Sequence, residues 1–200
     1  MHISEGILPA PVLIAGWGLT GGFLFWSLRK VSGDKLPRLA ILSSLFFLIS
    51  FIHIPVGPTS VHLTLNGLLG LILGLDIFPA IFTALFFQAL FFQYGGLTVL
   101  GINTLVMALP PFLLVSFFKN FLKNDKKLIK ITSFLIGSLS ILFSGLLMAL
   151  ILWITNPKFY VLSSVFIATY LPLSIIEGII TVLVVSYFQK IKKEDLICCH

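Results

Sequence analysis

Met1 and His2 form a pair able to bind a metal with little help from the rest of the chain. The terminal amine, the amide nitrogen of His2 and its imidazole can close fused five- and six-membered rings on one ion, giving three nitrogens from two residues. A histidine alone at a chain end is otherwise a solvated tail residue. The stretch HIPVGPTSVHL shifts that balance, because it carries His62 together with Gly57, Pro58, Thr59 and Ser60, which break a helix and let backbone approach a site closely. A nitrogen from His62 would complete a set of four. Imidazole suits Co, Ni, Cu and Zn, and tetragonal nitrogen ligation points to Ni(II), Cu(II) or Co(II) rather than Mg or Ca. Metal-bound imidazoles usually donate their other nitrogen to a partner. His53, Thr59, Ser60, Asn66 and Asn103 are the candidates for that surrounding shell, and His53 fits there better than as a direct ligand.

The elements that must hold these residues are set by the solvent. The 200 residues are 58% hydrophobic and 10% charged, against about 45–50% and about 25% in soluble domains. The apolar runs approach the roughly 20 residues that a helix needs to cross a hydrocarbon core of about 30 Å. They lack the alternation of a membrane β-barrel. The expected fold is all-α, a polytopic membrane protein with about seven transmembrane helices, at 7–28, 39–54, 60–74, 77–94, 97–118, 131–155 and 160–189. The third run opens on a Gly/Pro-broken segment, so part of it is expected to be non-spanning backbone buried in protein. The whole of 1–200 reads as one membrane domain, with 1–6 as a metal-chelating segment and 189–200 as a cytoplasmic tail.

Positive charge orients the count. All Lys and Arg residues except Lys158 fall in the connectors after the first and fifth runs and in the C-terminal tail. By the positive-inside rule that side is cytoplasmic, which sends the N-terminus and HIPVGPTSVH outward. The net charge of +6 is then a matter of topology, and nucleic acid is not an expected partner. A cleaved signal peptide would open on a basic segment, which this chain lacks, and the bulky second residue favours retention of Met1. Cys198, Cys199 and His200 read as an exposed tail on the reducing side. Glu5 reads as a carboxylate capping the first helix. Glu177, the one acid well inside an apolar run, must be neutral, paired or beside water. A proton or metal relay and a structural pairing on a neighbouring helix both fit it. The pairs Gly18/Gly22 and Gly70/Gly74 suggest close helix packing.

MHISEGILP, PVGPTSVHLTLNGLLGLILG, GGLTVLGINTLVMALP and LPLSIIEGIITVLVV resemble, in that order and over nearly the whole chain, the CbiM/NikM membrane components of energy-coupling-factor transporters for cobalt and nickel. The resemblance implies a seven-helix capture protein of the prokaryotic cell membrane whose N-terminal segment plugs inward. Its substrate would be Co(II), favoured over Ni(II), held by the Met1 amine, the His2 amide and imidazole, and His62. It also implies two cytoplasmic ATPase subunits, a transmembrane coupling protein and in many cases a small accessory membrane protein. No GxxxxGK[ST] segment is present to cradle phosphates, in keeping with ATP hydrolysis on separate subunits. Two other classes compete. One is a proton-coupled secondary transporter using Glu177 as its relay. The other is a membrane metalloenzyme, which would need an open coordination position and a general base; the sequence supplies no HExxH and no second carboxylate beside His62, so enzymatic activity is not expected.

Overall fold

The computed structural model describes residues 3–56, 59–123, 126–156 and 160–191, and the side chains of these other than 53–61, 123 and 160–168. Its helices are α1 (Ala10–Leu28), α2 (Leu36–Ile49), α3 (Asn66–Leu73), α4 (Ile77–Phe92), α5 (Leu100–Phe118), α6 (Lys126–Thr155) and α7 (Tyr160–Lys190). Prolines start two of them, Pro11 in the first turn of α1 and Pro37 in that of α2, where a missing N–H costs nothing. A short antiparallel hairpin, β1 (His53–Val56) and β2 (Thr59–His62), separates α2 from α3. Its register sets His53 opposite His62 and Pro55 opposite Ser60.

The polarity is that of a protein dissolved in lipid. Ile14, Leu19, Phe25, Leu48, Phe117 and Leu183 are all more than half exposed, while Thr20, Ser43, Asn66, Gln88, Ser144 and Thr181 are buried. The buried groups bond across helices: Ser43 Oγ donates to Ala80 O at 2.8 Å, and Gln88 Nε2 to Ser50 Oγ at 2.7 Å. With no water in the bilayer core, polar groups must be satisfied inside the protein.

Among the described residues, five helical segments are long and apolar enough to cross a membrane: Ala10–Leu28, Asn66–Phe92, Leu100–Phe118, Lys126–Thr155 and Thr169–Lys190. The expected second and third spans are shortened. α2 stops at Ile49, and its 14 residues rise about 21 Å at 1.5 Å each. The helix expected from residue 60 begins only at Asn66, because β2 occupies 59–62 and Leu65 takes a left-handed conformation, φ 50°, that turns the chain into α3. α3 and α4 are joined by a 3-10 turn, Gly74–Asp76, with Gly74 at φ 57°, a backbone state that suits glycine.

α3 is the axis of the bundle. All eight of its residues are buried. Its two glycines mark contacts with no space for a side chain: a Cβ on Gly67 would lie 2.6 Å from Gly137 Cα, and one on Gly70 would lie 2.8 Å from Pro111 Cβ. Gly137 in turn faces Thr181 Oγ1, 2.5 Å from its would-be Cβ, so α3, α6 and α7 meet at one point. Gly18 and Gly22 have nothing within 4 Å, so the close packing expected there is not made among the described residues. The tight crossing of α1 is at Gly16, whose Cβ would meet Ile102 Cδ1 at 2.8 Å.

Gly67→Ala should therefore lower stability by about 1–3 kcal/mol, the usual cost of forcing an extra methyl into a packed core. The matching change Gly22→Ala, inside α1 with nothing within 4 Å, should leave stability unchanged or raise it by up to about 1 kcal/mol. Thermal unfolding of both variants in detergent checks this, and equal midpoints would contradict the packing described.

Candidate metal site

Met1 and His2 lie outside the described residues, as do Cys198, Cys199 and His200. The residue next to the pair does not. Ile3 is 2% exposed, and its main chain is gripped on both sides by one amide: its N–H donates to Asn103 Oδ1 at 3.0 Å, and Asn103 Nδ2 donates to Ile3 O at 3.0 Å. Two opposed bonds to one side chain fix both the place and the direction of the segment. Asn103, expected near the metal, thus acts on the backbone that leads to His2.

A second tie follows two residues later. Glu5 N–H donates to Gly95 O at 3.2 Å, and Glu5 Oε1 accepts the Thr98 N–H at 3.0 Å. The expectation that Glu5 caps the first helix is corrected here, since α1 begins at Ala10 behind Pro9 and has no acid in its first turn. Gly96 is required beneath this contact. Its φ is +136°, and a Cβ there would sit 2.0 Å from Glu5 Cγ. The turn that receives Glu5 is anchored to α1, through Trp17 Nε1 donating to Thr98 O at 3.0 Å and Thr20 Oγ1 donating to Gly101 O at 2.7 Å.

His62 closes β2 and is 7% exposed. Its Nδ1 lies 3.2 Å from Leu63 O. A carbonyl oxygen can only accept, so this contact assigns the hydrogen to Nδ1, the tautomer that leaves the lone pair of a neutral ring on Nε2. The turn behind it is tied down at each residue. Leu63 N–H donates to Ile52 O at 3.3 Å. Thr64 N–H and Thr64 Oγ1 both donate to Glu177 Oε1, at 2.6 and 3.0 Å. Glu177 is wholly buried, and its Oε2 has no hydrogen-bond partner among the described residues. Of the roles left open for this acid, pairing with a polar group on another element is the one seen.

Asn66 braces α3. Its Nδ2 donates to Met107 O at 3.2 Å and to Ser144 Oγ at 3.1 Å, linking α3 to α5 and α6. Its Oδ1 has no partner among the described residues. The backbones of His53, Thr59 and Ser60 are in the hairpin, and their side chains lie outside those described. Ile3 and Leu65 belong to one continuous apolar cluster, so the amino-terminal segment and the turn after His62 share a core. Thr64 is the residue that sequence reasoning missed. Nothing in TSVHLTLN singles it out, and its partner is 113 positions away.

An apolar helical shell enclosing a buried histidine, a buried acid and a clamped amino-terminal segment is the layout of a polytopic membrane protein with a polar interior. The chain belongs to the CbiM family: the family model described as the cobalt uptake substrate-specific transmembrane region matches residues 2–194. It is 36% identical to a Haemophilus influenzae protein named as a candidate metal transport protein, over 97% of this chain and 96% of that one. It is 33% identical to the cobalt transport protein CbiM of Thermosipho melanesiensis, over 98% and 89%. A crystal structure of a transition metal transporter shares its fold, with a TM-score of 0.81 at 26% identity over 96% of this chain and 94% of that one. The protein is thus a multi-pass metal transport component of the prokaryotic cell membrane, and its family are transporters rather than enzymes.

Asn103→Ala removes both bonds to Ile3, each worth about 0.5–1.5 kcal/mol net. Hydrogen exchange at the Ile3 amide should accelerate about tenfold or more as that segment opens locally. An unchanged rate at Ile3 would contradict the clamp.

Proposed function

We propose that this chain is the metal-capture component of an energy-coupling-factor importer, taking Co(II) in preference to Ni(II) from outside the cell. The ion exchanges water for four nitrogens: the Met1 amine, the His2 amide, the His2 imidazole and His62 Nε2. The observation that carries this reading is the grip of Asn103 on Ile3. It commits the chain immediately after His2 to the protein interior, and so it is hard to reconcile with a loose amino-terminal tail. The Nδ1–H of His62 supports it as well, because it leaves the ring's lone pair on Nε2. The relatives named for cobalt transport favour cobalt.

Transport would be driven by two cytoplasmic ATPase subunits through a transmembrane coupling protein, with or without an accessory membrane protein. The positive-inside distribution supports an outward N-terminus and seven spans; α2 and α3 would then cross as shortened, protein-covered segments. In the secondary-transport alternative Glu177 would relay protons, and its Oε2, which has no hydrogen-bond partner among the described residues, is the observation in its favour. Metal uptake persisting in cells without any ATPase subunit would select that alternative.

Ligation through the amine and amide requires that the mature chain begin at Met1, which mass spectrometry of the intact protein checks. On such protein, inserting one residue between Met1 and His2 should abolish high-affinity Co(II) binding in a competition titration, and His62→Ala should weaken it. Retained binding after the insertion would overturn the four-nitrogen site. Because the amine must lose its proton before it binds, and ordinarily does so near pH 8, apparent affinity should fall about tenfold or more per unit as pH drops below that range. A flat profile from pH 6 to 8 would exclude amine ligation.

A further inference from the structure

The bonds around His62 and Glu177 share one covalent unit. The oxygen that accepts His62 Nδ1–H is the carbonyl of Leu63, and the N–H that donates to Glu177 Oε1 at 2.6 Å is that of Thr64. These are the two ends of a single peptide group. No peptide bond among the described residues is cis, so the C=O and N–H of this planar unit point in opposite directions. The buried acid stands at one edge of this peptide and the imidazole at the opposite edge.

We propose that Glu177 is a positioning residue for His62, acting through the Leu63–Thr64 peptide. Metal-binding histidines are commonly oriented by a carboxylate or a carbonyl that takes their second N–H, which sets the tautomer and raises ligand basicity. Here both are used in series. A hydrogen bond drawn from the N–H side of a peptide polarises its carbonyl and strengthens the bond accepted there. Glu177 thereby holds the proton of His62 on Nδ1 and the lone pair on Nε2, without touching the ring.

Three features of the turn fit this role. Thr64 spends both of its donors, N–H and Oγ1, on the same oxygen of Glu177, so the peptide plane has little freedom to rotate. Leu63 N–H is held by Ile52 O, which fixes the preceding peptide as well. Leu65, at φ 50°, is a non-glycine residue in the left-handed region, a state that persists only where the surroundings over-determine it. An acid serving only to pack α7 would need none of these.

The proposal rests on His62 being a metal ligand, and its first test needs no metal. In the apo protein, ¹⁵N NMR of the His62 ring should report the Nδ1–H tautomer. Glu177→Ala should convert it to a mixture. Glu177→Gln keeps an oxygen toward the Thr64 N–H and should retain the wild-type tautomer. Thr64→Ala keeps the backbone N–H and should also retain it, whereas a role confined to side-chain packing predicts that Thr64→Ala and Glu177→Ala behave alike. In a Co(II) competition titration Glu177→Ala should lose about tenfold in affinity, the low end of the cost of removing a direct partner of a ligating histidine, with Glu177→Gln recovering most of it. An unchanged His62 tautomer in Glu177→Ala, or Thr64→Ala matching it, would overturn the proposal. If Glu177→Ala does not fold, wild-type protein with the ring protonated on Nε2, or Glu177→Gln with a changed tautomer, would do so. Wild-type protein that binds no Co(II) would instead refute the four-nitrogen reading, leaving the tautomer measurement to decide the role of Glu177.

Discussion

Thr64 stands where a strand ends and a buried helix begins, and its N–H has no water to turn to. It lies one residue before the N-cap of α3, in neither the strand ladder nor the helix, and inside a membrane protein a backbone N–H is expensive if left alone. Here a carboxylate on α7 meets the N–H and the adjacent hydroxyl with one oxygen. That contact fixes the turn on which His62 stands, joins the hairpin to the C-terminal helix, and lets α3 begin in the middle of the protein. Much of the site geometry follows from this one demand for an acceptor.

The other end of the site is solved the same way. A segment entering the protein from its amino terminus brings backbone donors and acceptors with it, and among the described residues Ile3 has no strand beside it to pair with. Asn103 supplies the missing edge, since its amide offers one acceptor and one donor in the geometry of a peptide neighbour. Glu5 repeats the solution two residues later on the Gly95–Thr98 turn. The apolar side chain of Ile3 then adds burial to a segment already held by its backbone.

Much of this arrangement was legible in the sequence, and what was not has a common cause. Apolar run lengths gave the helical membrane class, because the cost of unsatisfied backbone in lipid leaves few alternatives. The broken stretch around Gly57 and Pro58 marked the point where helices give way. His62 and Glu177 stood out because ionisable residues at membrane depth are costly, and Asn103 as a candidate partner for a metal-bound imidazole. Thr64 did not, since a threonine is unremarkable until its long-range partner is known. Glu5 was misassigned because a carboxylate ahead of a helix has a familiar local role, whereas its actual partner, the Thr98 N–H, is 93 positions away. The glycines divide likewise: the Gly18/Gly22 spacing is a local pattern with no neighbour, and Gly67 is decisive only because Gly137 faces it.

α3 is held at both ends, and this limits how the bundle can deform. At its start stand the Thr64–Glu177 contact and the bonds of Asn66 to Met107 and Ser144. Near its end, Arg38 Nη2 donates to Ile72 O, and Ser27 Oγ donates to Asp76 Oδ1 at 2.7 Å in the following turn. Between them, Gly67 and Gly70 touch α6 and α5 with no side chain to yield. A close-packed interior has few voids to absorb a shift, and an eight-residue helix is only about 12 Å long. The turn carrying His62 and the contacts of Arg38 and Asp76 therefore stand at opposite ends of one short helix. A displacement at one end must be met by movement of α3 as a body, or by breaking contacts that the lipid setting makes costly to lose.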